Sequence, residues 1–355
     1  MRERLGAFCI ASCLLWGCGA PASTGADAAA SSQGDALVTT NGRHENGRHE
    51  NGRHENGRHE NGRHENGRHE NGRHENGRHE NGRHENGTSL GETVVSVDLS
   101  PAVVAGRGLV LDASLQGSTL VGHAGQTALS GADFVGASFV ATLGSGLPTL
   151  VRITGHGYAD APNADLDLYN VEWLAPGGHW RAMCIDDDDA PEPATALYGY
   201  WDYTEGTATG GAKTESTHKI TFACQSGAIY KCIDWGYRPW ESANGTSLSA
   251  YHQACTRMTR ADYCGDGVSH TVDGAWIGIY DNAGIQLDDA SWQFEAQWNE
   301  DGATCIAPGG VAHPHRIGCY NQKVSTACVA NDPSAMLSSE TPDGAREDFP
   351  TEPSP

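Results

Sequence analysis

Tyr251-His-Gln-Ala-Cys-Thr-Arg-Met-Thr-Arg-Ala-Asp-Tyr-Cys-Gly-Asp-Gly267 is the one stretch of this 355-residue chain with a strong helical period. Leu248, Tyr251, Cys255, Met258 and Asp262 step by three and four and form a single stripe, as a helix packed by one face requires. Thr246 or Ser247 supplies a side-chain oxygen for the first turn, and Gly265 offers the left-handed position that stops a helix. The spacing therefore predicts a helix over about 247–264 with Asp262 on its buried side. Cys255 and Cys264 would lie about 13 Å apart along that axis, too far to bond each other. Each should pin the helix elsewhere, Cys255 to a sheet and Cys264 to the loop that follows.

Around this helix the chain reads as β-rich. Leu150–Ile153, Leu166–Trp173, Trp180–Ile185, Ile220–Cys224 and Ala275–Tyr280 are apolar or alternating runs separated by turn residues. Trp292-Gln-Phe-Glu-Ala-Gln-Trp-Asn299 alternates most cleanly, with one apolar and one polar face. The expected class is α+β, β-dominated, with antiparallel sheet and one main helix. Eight cysteines fall here, Cys184, Cys224, Cys232, Cys255, Cys264, Cys305, Cys319 and Cys328, an even number that suits up to four disulfides in an oxidising compartment. Their connectivity is open. No Cys-x(2–4)-Cys pair occurs among these eight, so a structural zinc site is not expected.

Several blocks occur in a familiar order: Phe222-Ala-Cys224, Lys231-Cys-Ile-Asp-Trp-Gly-Tyr-Arg-Pro-Trp240, His252-Gln-Ala-Cys-Thr-Arg257, Ala261-Asp-Tyr-Cys-Gly-Asp-Gly267, His270-Thr271 and Asp301-Gly-Ala-Thr-Cys305. Together, over about 150–330, they resemble the ADYC domain family of bacterial, lipoprotein-like chains. The resemblance implies an exported, cysteine-rich domain. It hands over no catalytic residues, because no activity is established for the family.

The N-terminus agrees with export. Arg2 and Arg4 precede an apolar run from Leu5 to Trp16, too short to span a bilayer, and Gly17-Cys18-Gly19 follows. This is similar to a lipobox, with Cys18 as the lipid anchor and residues 1–18 as the lipoprotein signal peptide. Ile10-Ala-Ser-Cys13 also fits the box, but leaves too little apolar run for a signal. Gly19 in place of Asp points to the outer membrane.

Residues 19–90 read as a disordered tether. Within them Asn-Gly-Arg-His-Glu repeats nine times without error from Asn41 to Glu85, with no apolar residue to bury. As a flexible coil the tether would span roughly 45–50 Å. A degraded form of the same beat then returns with apolar residues, in Ala113-Ser-Leu-Gln-Gly117, Ser118-Thr-Leu-Val-Gly122, Thr127-Ala-Leu-Ser-Gly131 and Ala132-Asp-Phe-Val-Gly136. That pattern resembles a pentapeptide-repeat coil, with the central Leu or Phe pointing inward. Residues 91–148 are therefore expected as a β-rich extension that packs on, or merges into, a cysteine-rich domain at 149–340. A disordered tail is expected at 341–355.

Composition narrows the chemistry. The repeats carry nine Arg and nine Glu and cancel, so the net charge of −22 resides outside them. A field of that sign opposes binding of nucleic acid or anionic lipid. His252, Asp262, Asp266 and His270 fall close together and could serve acid–base chemistry in an envelope hydrolase. Asp262 paired with Arg257 or Arg260, and Asp266 as a turn residue, are the structural alternatives. The repeat histidines, such as His44, His49, His54 and His59, could capture metal. Eight of the nine Trp, all from Trp173 onward, and the clusters Trp235–Trp240 and Tyr198–Tyr203 either fill the core or form a platform for a ligand. The expected protein is an exported, lipid-anchored envelope module that binds a polysaccharide or a protein. No cofactor is expected.

Overall fold

The computed structural model describes residues 78–87, 91, 93–186, 189–288, 292–330 and 332–342. In chain order the first principal elements are β1 (Arg78–Glu80), β2 (Val94–Asp98), β3 (Ala137–Leu143), β4 (Pro148–Tyr158), β5 (Asp167–Ala175), β6 (Ala194–Tyr198) and β7 (Lys219–Cys224). Helices α1 (Ala228–Asp234) and α2 (Ser249–Thr259) follow. The last elements are β8 (Trp276–Asp281), β9 (Gln293–Asn299), β10 (Gly302–Ile306), the short helix α3 (Tyr320–Lys323) and β11 (Leu337–Thr341).

Strands β2 to β7 close into an antiparallel barrel. β2 pairs with β3, β3 with β4, β4 with β5, β5 with β6, β6 with β7, and β7 returns to β2. Alternate residues point inward, as a closed sheet requires. Val97, Phe139, Ala141, Val151, Ile153, Tyr169, Val171 and Phe222 fill one continuous core. The free edge of β3 at Ala137 and Ser138 carries the sheet onward into Ala102–Val104 and the meander Gly108–Ser130. Leu115, Leu120, Leu129, Phe134 and Phe139, the central residues of the five-residue beat, are all buried. Leu115, Leu120 and Leu129 sit on antiparallel hairpins, Phe134 on a short 3-10 turn and Phe139 on β3, rather than on a coil. Gly117 of the beat and Gly125 between its units take φ of +63° at the hairpin turns, whereas Gly122 lies within a strand. The extension merges into the barrel, because β3 and β4 pair across the expected boundary at 148.

A second, five-stranded antiparallel sheet has the order β1-β8-β11-β9-β10. Between it and the barrel lie the two helices. Tyr251, Ala254, Cys255 and Met258 of α2 pack on Ile277, Ile279, Ala296, Trp298 and Leu337. Ile229, Tyr230 and Ile233 of α1 pack on Leu197 and Ala223, on the outer face of the barrel. Every residue from Tyr251 to Thr259 is buried, because α2 is covered on both sides.

Four disulfides staple this arrangement: Cys184–Cys224, Cys232–Cys255, Cys264–Cys319 and Cys305–Cys328. The first belongs to the barrel and the other three to the helices and second sheet. Cys255 ties α2 to α1 and not to a sheet, since the stripe that meets the sheet is filled by Tyr251, Ala254 and Met258. Cys264 fixes the loop after α2, joining it to the residue that precedes α3.

Three boundaries differ from expectation. Helix α2 ends at Thr259 and not near Cys264, because Ala261 takes a left-handed φ of +51° five residues after Thr256. Residues 78–87, expected within the disordered tether, hold a defined place, for β1 consists of repeat residues paired with β8. Strand β11 reaches Thr341, one residue into the expected tail. Cys18, His44, His49, His54 and His59 lie outside the described residues.

Candidate functional site: the signature turn and the groove beside it

Each residue of Ala261-Asp-Tyr-Cys264 has a separate structural task. Ala261 breaks the helix. Asp262, fully buried, then accepts from the backbone N–H groups of Gly265 (2.9 Å), Asp266 (3.1 Å) and Gly267 (3.0 Å) and from the Nη1 of Arg257. A carboxylate so placed organises the turn and satisfies a buried guanidinium at once. Arg257 is completed by the carbonyls of Gly210 (2.5 Å) and Glu300 (3.3 Å). Tyr263 stacks on Trp298 at 5.1 Å and donates its hydroxyl to Glu295. Cys264 carries the disulfide. Gly265 has no room for a side chain, since a Cβ there would stand 1.9 Å from the carbonyl oxygen of Asp301.

Glu295 is a site residue that strand alternation misses. The polar face of β9 was expected outward, but Glu295 is buried under the segment that follows β10, where the N–H of Ala307 bonds its carbonyl. Burial pushes its carboxyl above the usual range, and Tyr263 and Ser339 (2.7 Å) satisfy it.

The four acid–base candidates are not gathered around one opening. His252 is fully buried on the side of α2 that faces α1, with Nε2 donating to the carbonyl of Ile229 at 3.1 Å. Burial, helped by Lys213, pushes its pKa down to about 3. His270 lies beyond the turn, its ring 5.8 Å from that of Tyr263, and burial lowers its pKa against the pull of Asp266 and Asp262. Asp266 accepts from the N–H of Val268 as a turn residue. Asp262 has no exposed surface and its oxygens are already engaged, so it offers nothing to a substrate. Another imidazole–carboxylate pair, His156–Asp167 at 2.5 Å, is buried between β4 and β5. There Thr119 donates to the carboxylate and not to the imidazole, which pins the meander to the barrel and lacks the relay geometry of a nucleophilic triad. Among the described residues no three His, Cys, Asp or Glu converge as a metal site would need.

What does converge on the signature is the end of the repeat tract. Arg260, between α2 and Ala261, donates to the carbonyls of Arg83 (3.1 Å) and Gly267 (2.7 Å) and faces the carboxylate of Glu85 at 3.4 Å. Thr259 accepts from the N–H of Gly82 at 3.1 Å, and Asn81 exchanges backbone bonds with Ala275 and Gly274. Lys231 of α1 donates to the carbonyl of Asn81 at 2.8 Å. The first N–H groups of α1, Ala228 and Ile229, donate to the carbonyls of His84 and Glu85 at 3.0 Å each. The repeat thus caps a helix start that has no side-chain cap of its own. Asn86 bonds the backbone of Phe222 and Cys224 in β7. His79 reaches Gln286 at 3.1 Å beside the ring of Trp235. A ten-residue peptide therefore lies in a groove built from α1, the signature turn and β8. Sequence could not single it out, because its copies are identical.

The domain is thus a disulfide-stapled, β-dominated α+β unit in which a barrel and a five-stranded sheet enclose two helices. Compared with known families, residues 131–310, just over half the chain, match the ADYC domain, and the chain belongs to that family. No curated protein and no solved structure matches it. The matched region begins at the turn before β3 and includes the signature, but ends before α3 and β11.

Proposed function

We propose that this chain is an exported cell-envelope protein, anchored in the outer membrane through a diacylated Cys18, whose ADYC domain is a binding or structural module and not a catalyst. The observation that carries this reading is the signature turn itself. Its helix break, carboxylate, phenol and thiol are each consumed by contacts that build the domain. Four disulfides suit an oxidising compartment. Among the described residues no helix is long and apolar enough to cross a membrane; the attachment proposed is the lipid on Cys18. The partner is an envelope polysaccharide or protein. Fractionation of cells carrying the native chain and Cys18→Ala tests the anchor. The native protein should sediment with outer membrane and the variant should remain soluble; sedimentation of both would remove the lipid anchor from the account.

A further inference from the structure

The docked segment Arg78–Gly87 reads Arg-His-Glu-Asn-Gly-Arg-His-Glu-Asn-Gly, and this ten-residue window occurs in full starting at Arg43, Arg48, Arg53, Arg58, Arg63, Arg68, Arg73 and Arg78. Every contact described in the groove falls on an atom that each window supplies. Glu85 meets Arg260, Asn81 meets Lys231 and Thr271, and Asn86 meets β7. None uses a residue peculiar to the last copy.

One glycine makes the fit selective for steps of five. Gly87 takes φ +88°, and a Cβ there would lie 2.6 Å from the Cβ of Cys224. A Cβ on Gly82 would only touch the Nζ of Lys231 at 3.4 Å, so the selection falls on Gly87. A slip of one to four residues puts Arg, His, Glu or Asn at both places. A slip of five restores glycine at both, along with every hydrogen-bonding group.

We propose that this groove is a receptor for the repeat itself, able to hold any of the windows, so that the chain is taken up or released in five-residue steps. Each step moves five residues from the N-terminal side of the groove into the loop that leads to β2. The cost of a longer loop rises only with the logarithm of its length. The last window is favoured because its loop is shortest, and the earlier ones stand in reserve. The reach between the N-terminus and the domain is thereby adjustable without unfolding the domain. None of this depends on the membrane anchor.

Residues 83–87 belong to the last window alone, so Gly87→Val disables it and leaves the window ending at Gly82 intact. The test places this substitution in the full chain and in a chain lacking residues 41–75, which retains only the last window. Thermal unfolding should show little change in the full chain and a drop of roughly 5 °C or more in the shortened one. Glu85→Lys, which reverses the charge facing Arg260, should give the same contrast. Equal losses in both backgrounds would mean that the groove accepts only its own copy. No loss in either would mean that these contacts do not hold the window. Either result overturns the proposal.

Discussion

Asp262 binds three backbone N–H groups and a buried guanidinium, so its replacement should be felt in folding. Asp262→Asn leaves Arg257 without its counter-charge, and breaking such a buried pair costs about 3–5 kcal/mol. Urea unfolding measures that loss; a variant of native stability would return Asp262 to the list of candidate catalysts. His252 predicts an acid limb. In the unfolded chain an imidazole titrates near 6.5, whereas folding pushes this one down to about 3. Between those values the unfolded state binds a proton that the folded state excludes. Stability is therefore full above about pH 6.5 and falls as pH drops, by about 1.4 kcal/mol per unit. His252→Gln should flatten this limb in a plot of Tm against pH, while an unchanged slope would assign it to other groups. Glu295 has the opposite sign. Its folded pKa is raised by burial, so it contributes stability at low pH that is lost as pH rises through the folded value. Glu295→Gln should gain on the native chain as pH is raised from about 4.5. An alkaline loss in the variant would show the carboxylate to be needed ionised.

Among the elements, the staples should differ in worth by the loops they close. Cys264–Cys319 spans 55 residues and Cys305–Cys328 spans 23. Removing either pair with Ser should cost about 3–4 kcal/mol, and the longer loop about 1 kcal/mol more. Guanidinium unfolding of the two double variants checks the order, and a larger loss at Cys305–Cys328 would show that loop length does not set their worth. Helix α2 was legible because the stripe Tyr251, Cys255, Met258 is truly buried. Its end was not, because the stop is Ala261, held left-handed by the turn that Asp262 assembles, and no local rule marks an alanine for that conformation. The five-residue beat showed which side chains point inward. It could not separate a coil from hairpins, since both need an inward residue and a glycine turn. The final repeat looked unburiable because it has no apolar side chain; it is held instead by hydrogen bonds and by the pairing of Glu85 with Arg260, which hydrophobic patterning does not register. Closure of the barrel was also hidden. Strand β6 is covered on both faces, so its sequence lacks the alternation that β7, Ile220-Thr-Phe-Ala-Cys224, keeps.

At the scale of the molecule, the barrel holds its own disulfide and the second sheet with its helices holds three. The second sheet is completed from far away, since β11 pairs with β8 on one edge and β9 on the other. A chain stopped after Met336 should therefore lose the near-ultraviolet signal of Trp298 and the protease resistance of α2; retention of both would show that β8 and β9 can stand apart. The position of β11 also sets a clock. A chain threaded through a membrane from its N-terminus delivers the repeats first, then the barrel, then β8 and β9 with facing edges unpaired. The strand that fills the gap arrives after every other described element. Until then two open edges invite pairing with neighbouring chains. The repeat laid along the outer side of β8 covers one further edge during that wait. In a chain exported this way secretion and folding would be coupled in order: an early segment guards a margin of the sheet that only the last described strand can close.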